Sequence, residues 1–130
     1  MKKQSDVEQF GVLLFSFGFK YGAPRDADLL FDARCLPNPY WHSELRSLTG
    51  KDREVGEFLA QDERTRCLLD QIGSFVTTWL PCFEREGRSY LTVGIGCTGG
   101  RHRSVYLVEQ LAAQFRAAGH EPLVLHRELA

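Results

Sequence analysis

The segment best equipped for chemistry lies between residues 93 and 105 and reads VGIGCTGGRHRSV. An apolar run ends there in a glycine-rich loop, which is followed by the basic residues Arg101, His102 and Arg103. Backbone N–H groups at a helix N-terminus carry a partial positive charge and bind anions. Positive side chains oppose the helix dipole at that position, so their presence indicates a ligand that compensates the charge. The segment therefore predicts an anion-binding loop.

Two nucleotide-binding motifs have similar glycine patterns, and neither fits this loop. No Gly-Lys-Ser/Thr follows it at the spacing of a Walker A motif. Gly94, Gly96 and Gly99 do spell GxGxxG, but the first two fall within a predicted strand. No acidic residue of clear role follows at about 20 residues, where a dinucleotide fold requires one. We therefore predict neither a Walker A nor a dinucleotide site.

A catalytic interpretation remains as an alternative, because Cys97, Arg103 and Ser104 match the C-x5-R-S/T loop of cysteine-dependent phosphatases. There a thiolate attacks phosphorus while backbone N–H groups and the arginine hold the oxygens. A thiol beside basic groups at a helix N-terminus is an activated nucleophile. However, Gly96 stands where those phosphatases usually carry histidine, and no aspartate on a movable loop is recognisable as the general acid, although Asp26, Asp28 and Asp62 stay open as candidates. The leading prediction is a domain without catalytic residues.

The composition limits the class of protein. The 130 residues suffice for one domain with its own core, and the 43% hydrophobic and 25% charged fractions are ordinary for a globular protein. The net charge of −1 argues against coating nucleic acid by bulk electrostatics. The sequence shows neither an apolar run of about 18 residues nor a signal peptide, so we expect a cytoplasmic protein. Four cysteines without a CxxC pair predict reduced, at least partly buried thiols and no metal site.

Alternating segments predict an α/β fold, a single three-layer domain with a mostly parallel sheet flanked by helices. The predicted strands are residues 11–19, 28–34, 89–96 and 121–126. Helices are predicted from residues 49–52 onward, through residues 68–83, and from residue 105 to a stop at Gly119. One domain covers residues 1–130, with residues 1–10 expected to be flexible.

Two details of this assignment concern proline and aromatic residues. Pro81 should end or kink the long helix near its last turn. The apolar residues of that helix recur at steps of three and four, and we expect them to pack against the sheet. They are Leu68, Leu69, Ile72, Phe75, Val76, Trp79, Leu80 and Phe83. The prolines of residues 36–41 exclude helix and central strand there, so an ordered loop carrying Tyr40 and Trp41 is expected.

Ligands of parallel sheets bind outside the carboxyl ends of the strands. This rule brings together the loops at residues 16–24, 35–41 and 97–104. Basic and aromatic residues occur on or beside them, namely Lys20, Arg25, Tyr40, His42, Arg101, His102 and Arg103. A positively charged pocket is therefore expected at this edge.

Four motifs occur in order along the chain: FSFGFKYGAP, FDARCLPNPYW, RSYLTVGIGCTGG and GCTGGRHRSV. Together they resemble the C-terminal domain of the RapZ family of bacterial RNase adapter proteins, and the resemblance extends from Val12 to the last residue. It implies a regulatory adapter domain that binds small regulatory RNA and senses an amino-sugar phosphate, glucosamine-6-phosphate. It also implies a homo-oligomer, and no cofactor is expected.

By position in these motifs, the resemblance implies that Thr98, Gly99, His102 and Arg103 hold an anion, with Lys20 reaching the same region. Arginine binds phosphate oxygens bidentately, and a histidine that donates to the ligand tunes binding near neutral pH. The full predicted ligand-binding set is Lys20, Tyr40, Thr98, Gly99, Gly100, His102, Arg103 and Ser104. A structural role stays open for His102 and Arg103, which could satisfy buried carbonyls and pair with Asp28 or Asp32.

The sequence departs from the family pattern at three points. The family's N-terminal domain with its P-loop has no counterpart here, so nucleotide binding is not expected and a separate protein would supply that function. Tyr40 stands where the family often has histidine. The sequence ends in HRELA, without the basic tail of RNA-binding members. A protein-interaction module that binds a partner's acidic group is therefore kept as a second alternative.

Overall fold

The computed structural model describes residues 10–130 and shows one parallel α/β sheet with flanking helices, which confirms the predicted fold class. The strands are β1 (Gly11–Gly18), β2 (Leu29–Asp32), β3 (Tyr90–Cys97) and β4 (Leu123–His126). The α-helices are α1 (Ser43–Arg46), α2 (Arg53–Ala60), α3 (Glu63–Glu84) and α4 (Arg103–Ala117). Single 3₁₀ turns form at Phe19–Tyr21 and Pro39–Trp41.

The four strands are parallel and lie in the order β2-β3-β1-β4. The two central strands, β1 and β3, pair over eight residues, from Gly11 opposite Tyr90 to Gly18 opposite Cys97. Because all strands run the same way, the carboxyl ends of β1, β2 and β3 lie at one edge of the sheet. The loops that follow these strands are thereby brought together.

One face of the sheet packs against α3 and α4 and forms the main core. The sheet contributes Val12, Leu14, Leu91, Val93 and Ile95, all buried. The helices contribute Leu69, Ile72, Val76, Leu107, Val108, Leu111, Ala112 and Phe115. A smaller cluster of Leu45, Val55 and Leu59 joins α1 and α2 to this assembly. Burial of these side chains is the dominant favourable term in the stability of the domain.

The helices thus lie on one face of the sheet, and the third layer, on the opposite face, consists of turns and loops rather than of helices. Near its carboxyl end, Phe17 is fully buried beneath Phe19, at a ring-centroid distance of 4.9 Å, and beside the Arg127 guanidinium. Further along, leucines of both edge strands stay open to solvent, and Leu123 and Leu125 are 67% and 49% exposed. The layer on this side of the sheet is therefore thin and incomplete.

Several sequence expectations need correction. Phe75 and Trp79, expected in the core, are 44% and 47% exposed, because the buried stripe of α3 runs through Leu69, Ile72 and Val76 beside them. The cysteines expected to be partly buried are exposed on loops and on the outer side of α3, namely Cys35, Cys67 and Cys82. Only Cys97 is buried, and all four thiols are free.

The proline and the glycine that were predicted to interrupt helices lie near helix ends, and the proline-containing loop also forms a short 3₁₀ turn. Pro81 lies inside α3, which ends three residues later at Glu84, and the final helix is followed by Gly119 at φ 96°, as predicted. The loop with two prolines contains a 3₁₀ turn, which begins with Pro39, where a missing N–H removes no hydrogen bond.

The remaining expectations concern the start of the chain and membranes. Most of the segment expected to be flexible, residues 1–9, lies outside the described residues, whereas Phe10 is buried. From residue 10 onward, no helix is long and apolar enough to cross a membrane.

Candidate functional site

A cavity of about 410 Å³ opens at the carboxyl edge of the sheet, where the three loops predicted to meet do so. It is lined by Lys20, Tyr21, Asn38, Tyr40, Trp41, Arg46 and residues 97–103. Seven of the eight predicted ligand-binding residues line it. The eighth, Ser104, is fully buried behind the wall. Arg25 and His42 are not part of the lining, and the His42 ring packs on Phe58 at 4.7 Å.

The floor of the cavity is formed by backbone segments in close contact. A Cβ atom on Gly18 would lie 2.6 Å from the Gly99 carbonyl carbon, and one on Gly100 would lie 2.5 Å from the Gly18 nitrogen. Gly100 also adopts φ 76°, a left-handed conformation that favours glycine. The Lys20 N–H donates to the Thr98 carbonyl at 3.1 Å, which fixes the lysine beside the loop. The glycines are thus required for the approach of β1 to this loop.

Arg103 is the first residue of α4 and is only 4% exposed. Its Nη1 donates to the carbonyl oxygens of Arg34 at 2.9 Å and Leu36 at 3.1 Å. Its Nη2 lies 3.5 Å from Thr98 Oγ1, and its Nε has no hydrogen-bond partner among the described residues. One side of the guanidinium therefore holds the loop after β2, while Nε and Nη2 retain donor capacity.

The carboxylates considered as partners of Arg103 are paired elsewhere. Asp28 bonds to Arg88 at 2.7 Å, and Asp32 bonds to Arg34 at 2.7 Å. The hydrogen bond from the Arg34 side chain lowers the pKa of Asp32. The expected binding of buried carbonyls is therefore confirmed for Arg103, whereas the expected ion pair with Asp28 or Asp32 is wrong. The Arg103 charge also lowers the pKa of Asp32, but less than the Arg34 hydrogen bond does, so the buried guanidinium has a carboxylate nearby and no direct ion pair with it.

His102, which precedes α4, is 7% exposed. Burial lowers its pKa below the ordinary 6.5, although nearby backbone carbonyls of residues 45, 46 and 48 act in the opposite direction. Its Nε2 lacks a hydrogen-bond partner within residues 10–130. At neutral pH the imidazole is therefore uncharged. It therefore adds no positive charge to the cavity wall.

Cys97 is 2% exposed, and its sulfur forms part of the cavity wall. The Ser104 backbone N–H donates to Sγ at 3.4 Å, and Ser104 Oγ lies 3.2 Å from the same sulfur. The part of the cavity wall that the structure describes contains no Asp or Glu that could act as a general acid.

An aromatic wall, formed by Tyr40 and Trp41, faces the loop of residues 97–103. The Tyr40 N–H donates to Asn38 Oδ1 at 3.1 Å, which caps the 3₁₀ turn. Arg46 Nε donates to the Tyr40 carbonyl at 2.8 Å, and its guanidinium lies 4.8 Å from the centre of the Tyr40 ring. The Tyr40 and Trp41 rings are 5.5 Å apart at 83°.

Sequence reasoning missed three residues of the cavity: Tyr21, Asn38 and Arg46. Asn38 could have been recognised, because asparagine before a proline is a common cap of a turn. Arg46 gave no signal, because it belongs to a four-residue helix with no measurable periodicity. In the described part of the chain, no group of three or more His, Cys, Asp or Glu side chains is placed to bind a metal ion.

Comparisons with known proteins identify the relatives of this chain. The family model described as the RapZ C-terminal domain matches residues 10–130. A nucleotide-binding protein of Thioalkalivibrio sulfidiphilus is 51% identical over 129 residues, which cover 98% of this chain and 45% of that protein. One from Janthinobacterium (strain Marseille) is 58% identical over 127 residues, covering 97% and 44%. One from Alcanivorax borkumensis is 59% identical over 116 residues, covering 89% and 41%. The chain thus spans less than half the length of these curated relatives.

Proposed function

The chain belongs to the RapZ C-terminal domain family, and on this premise we propose that it is a non-catalytic, phosphate-recognising sensor or adapter domain. Its ligand is an amino-sugar phosphate of the glucosamine-6-phosphate type. Small regulatory RNA is a second ligand that uses the same loop. The observation that carries the proposal is the buried Arg103, which lines the cavity without a carboxylate partner among the described residues.

The geometry supports a phosphate group above the start of α4. Backbone N–H groups of a helix N-terminus point toward an anion placed there. Arg103 Nη2 and the Thr98 hydroxyl add donors, and Lys20 adds a second positive charge. Charge-assisted hydrogen bonds of this kind are about twice as strong as neutral ones. An anion would therefore offset the desolvation cost of the buried guanidinium.

The size of the cavity supports a ligand larger than a phosphate ion. Sites for small molecules occupy roughly 300–1,000 Å³, and the volume of about 410 Å³ falls in that range. The remaining space lies between the glycine loop and the aromatic wall. A phosphorylated sugar has the size and polarity to fill it.

RNA binding is supported by exposed groups at the same opening. Tyr21, Trp41, Lys20, Arg46 and Arg101 are exposed and line the cavity, and surfaces for single-stranded RNA combine aromatic rings with cations in this way. A backbone phosphate and a sugar phosphate would compete for Arg103. Mutual exclusion of the two ligands provides a regulatory switch without a catalytic step. Because both ligands occur in the cytoplasm, we propose that the protein acts there.

Calorimetry with glucosamine-6-phosphate and with a structured RNA tests the proposal. We expect the unmodified protein to bind both ligands, and each ligand to displace the other. Arg103→Ala should weaken both by about 10- to 100-fold, since hydrogen bonds to charged groups contribute about 1.5–3 kcal/mol. Arg53→Ala is the matched control, because Arg53 is an exposed arginine of α2.

Thermal unfolding of Arg103→Ala must accompany the measurement, because Arg103 also holds the carbonyls of residues 34 and 36. If that variant is unfolded, Lys20→Ala provides the second test, since Lys20 is exposed. Absence of binding by both ligands contradicts the proposal. So does an Arg103→Ala protein that is folded and binds like the unmodified one.

The phosphatase alternative is retained because the Cys97 sulfur lies 3.4 Å from the first-turn N–H of Ser104. It requires hydrolysis of an aryl phosphate that disappears in Cys97→Ser. We expect no hydrolysis by either protein, because the cavity wall from residue 10 onward offers no carboxyl group to protonate the leaving group. Thiol-dependent hydrolysis would replace the sensor proposal with an enzymatic one.

We also propose that the domain acts in a homo-oligomer and with a partner protein. Support for self-association comes from the exposed leucines of the edge strands, Leu30, Leu123 and Leu125, on the thinly covered sheet face. Sedimentation analysis should show association that Leu125→Lys weakens. If the loop instead binds an acidic group of that partner, a pull-down would survive competition by glucosamine-6-phosphate.

A further inference from the structure

Resting on the proposed function, we infer that Trp41 determines which phosphorylated ligands the cavity accepts. Its indole stacks on the ring of the ligand while the phosphate occupies the loop of residues 98–103. The site would then recognise a ring joined to a phosphate and bind phosphate itself only weakly. Three observations carry the inference: the exposure of the Trp41 side chain, the fixed backbone turn that bears it, and its position at the cavity.

Trp41 is 73% exposed, more than any other large hydrophobic residue of the described chain. An exposed indole is hydrated over a large apolar area, and covering that area on binding is favourable. It lines the same cavity as the glycine loop and comes from a different loop of the chain. A ligand held by its phosphate at that loop would extend toward the indole.

The turn that carries Trp41 is fixed before any ligand binds. Pro37 and Pro39 restrict the backbone on both sides of Asn38, which caps the turn. Arg46 holds Tyr40, the residue before Trp41, by a hydrogen bond to the Tyr40 carbonyl, and the Arg46 guanidinium covers the Tyr40 ring. Little conformational freedom is therefore lost when a ring stacks on the indole, and preorganisation of this kind increases affinity.

The second tryptophan of the chain, Trp79, provides an internal comparison. It is 47% exposed on α3 and lies 6.4 Å from Phe75, whose ring contacts Phe31 at 5.8 Å. No cation of the anion-binding loop lies in that cluster, and Trp79 is not part of the cavity lining. Trp41 is thus an exposed aromatic residue beside the anion-binding loop, whereas Trp79 is exposed but lies away from that loop.

The Trp79→Phe protein makes the test direct, because Trp41 is then its only tryptophan. This protein is titrated with inorganic phosphate, glucose-6-phosphate and glucosamine-6-phosphate while its fluorescence and the heat of binding are recorded. We expect both sugar phosphates to change the emission of Trp41 and to bind about tenfold more tightly than inorganic phosphate, which corresponds to about 1.4 kcal/mol.

The substitutions are then compared in the unmodified background by calorimetry. Trp41→Ala should remove the advantage of the sugar phosphates and leave the affinity for inorganic phosphate unchanged. Trp41→Phe should retain most of the advantage, because an aromatic face remains. Trp79→Ala is the matched control and should bind all three ligands like the unmodified protein.

The possible failures are distinguishable. If inorganic phosphate and the sugar phosphates bind equally well, the inference about Trp41 is overturned while the anion site stands. The same holds if Trp41→Ala keeps the advantage or weakens all three ligands equally. If none of the three ligands binds, the proposed function fails, and the inference fails with it.

Discussion

Two groups of buried polar side chains border α4, and they differ in how completely their atoms are paired. In the first, here called the edge chain, Ser16 Oγ lies 2.7 Å from His126 Nδ1, and His126 Nε2 lies 2.7 Å from Glu109 Oε2. In the second, at the cavity, Arg103 Nε and His102 Nε2 have no partner within the described residues. Each group includes one residue of α4, Glu109 in the first and Arg103 in the second.

The difference separates a structural role from a binding role. A buried polar group without a partner costs about 1–3 kcal/mol, so a fold retains it only where something offsets that cost. The edge chain joins β1, β4 and α4 and leaves none of its three side chains without a hydrogen bond. At the cavity, the unpaired atoms are buried, but they belong to two residues that line a space a ligand can occupy. Stability should therefore depend on the first group and ligand affinity on the second.

The largest effect should come from breaking the edge chain. Ser16→Ala leaves His126 Nδ1 buried without a partner, and we expect a loss of about 1–3 kcal/mol in the free energy of unfolding. Urea denaturation measures this, with Ser74→Ala on the exposed side of α3 as the control. Affinity for glucosamine-6-phosphate should stay the same. A folded Ser16→Ala protein with unchanged stability and weaker binding would reverse the assignment of the two groups.

A smaller effect is expected at the cavity, and there it should change ligand affinity rather than stability. Thr98→Val removes a hydroxyl that lies 3.5 Å from Arg103 Nη2 and keeps a similar shape. Loss of one hydrogen bond of about 0.5–1.5 kcal/mol should weaken sugar-phosphate binding about three- to tenfold. Because Thr98 is exposed, the urea midpoint should not move. Lower stability without a change in affinity would place Thr98 with the edge chain.

The smallest effect concerns pH. Burial lowers the pKa of His102 below 6.5 in the folded state, so the unfolded state takes up protons first as the pH falls. Stability contributed by the neutral imidazole is therefore present above pH 6.5 and is lost as the pH falls below that value. His102→Gln should flatten the dependence of the melting temperature on pH between about 5 and 7. An unchanged slope in that variant would show that His102 does not titrate in this way.

Much of the framework could be predicted because local sequence determines it. The two central strands are apolar runs that end at or beside a glycine, and each predicted strand overlaps an observed one. The helix α1 was missed because four residues are too few to show a period. Phe75 and Trp79 were misplaced because periodicity identifies a helical face but not how much of that face the neighbouring sheet covers.

The position of the cavity could also be predicted, whereas the side-chain contacts within it could not. The glycine loop and the rule for parallel sheets together identified which loops meet. What could not be predicted is how the guanidinium of Arg103 divides its donors, because Arg34 and Leu36 come close only through tertiary packing. The fixation of Tyr40 by Arg46 depends in the same way on the fold around α1.

The pairing of β1 with β3 also affects how the protein is made. The floor of the cavity joins Gly18, from the first strand, to Gly99 and Gly100, which are synthesised much later. Contacts so distant in sequence form slowly and need both partners outside the ribosome. A nascent chain therefore exposes the unpaired edge of β1 until β3 has emerged. Its anion-binding loop can form only when β3 and the start of α4 have also left the ribosome.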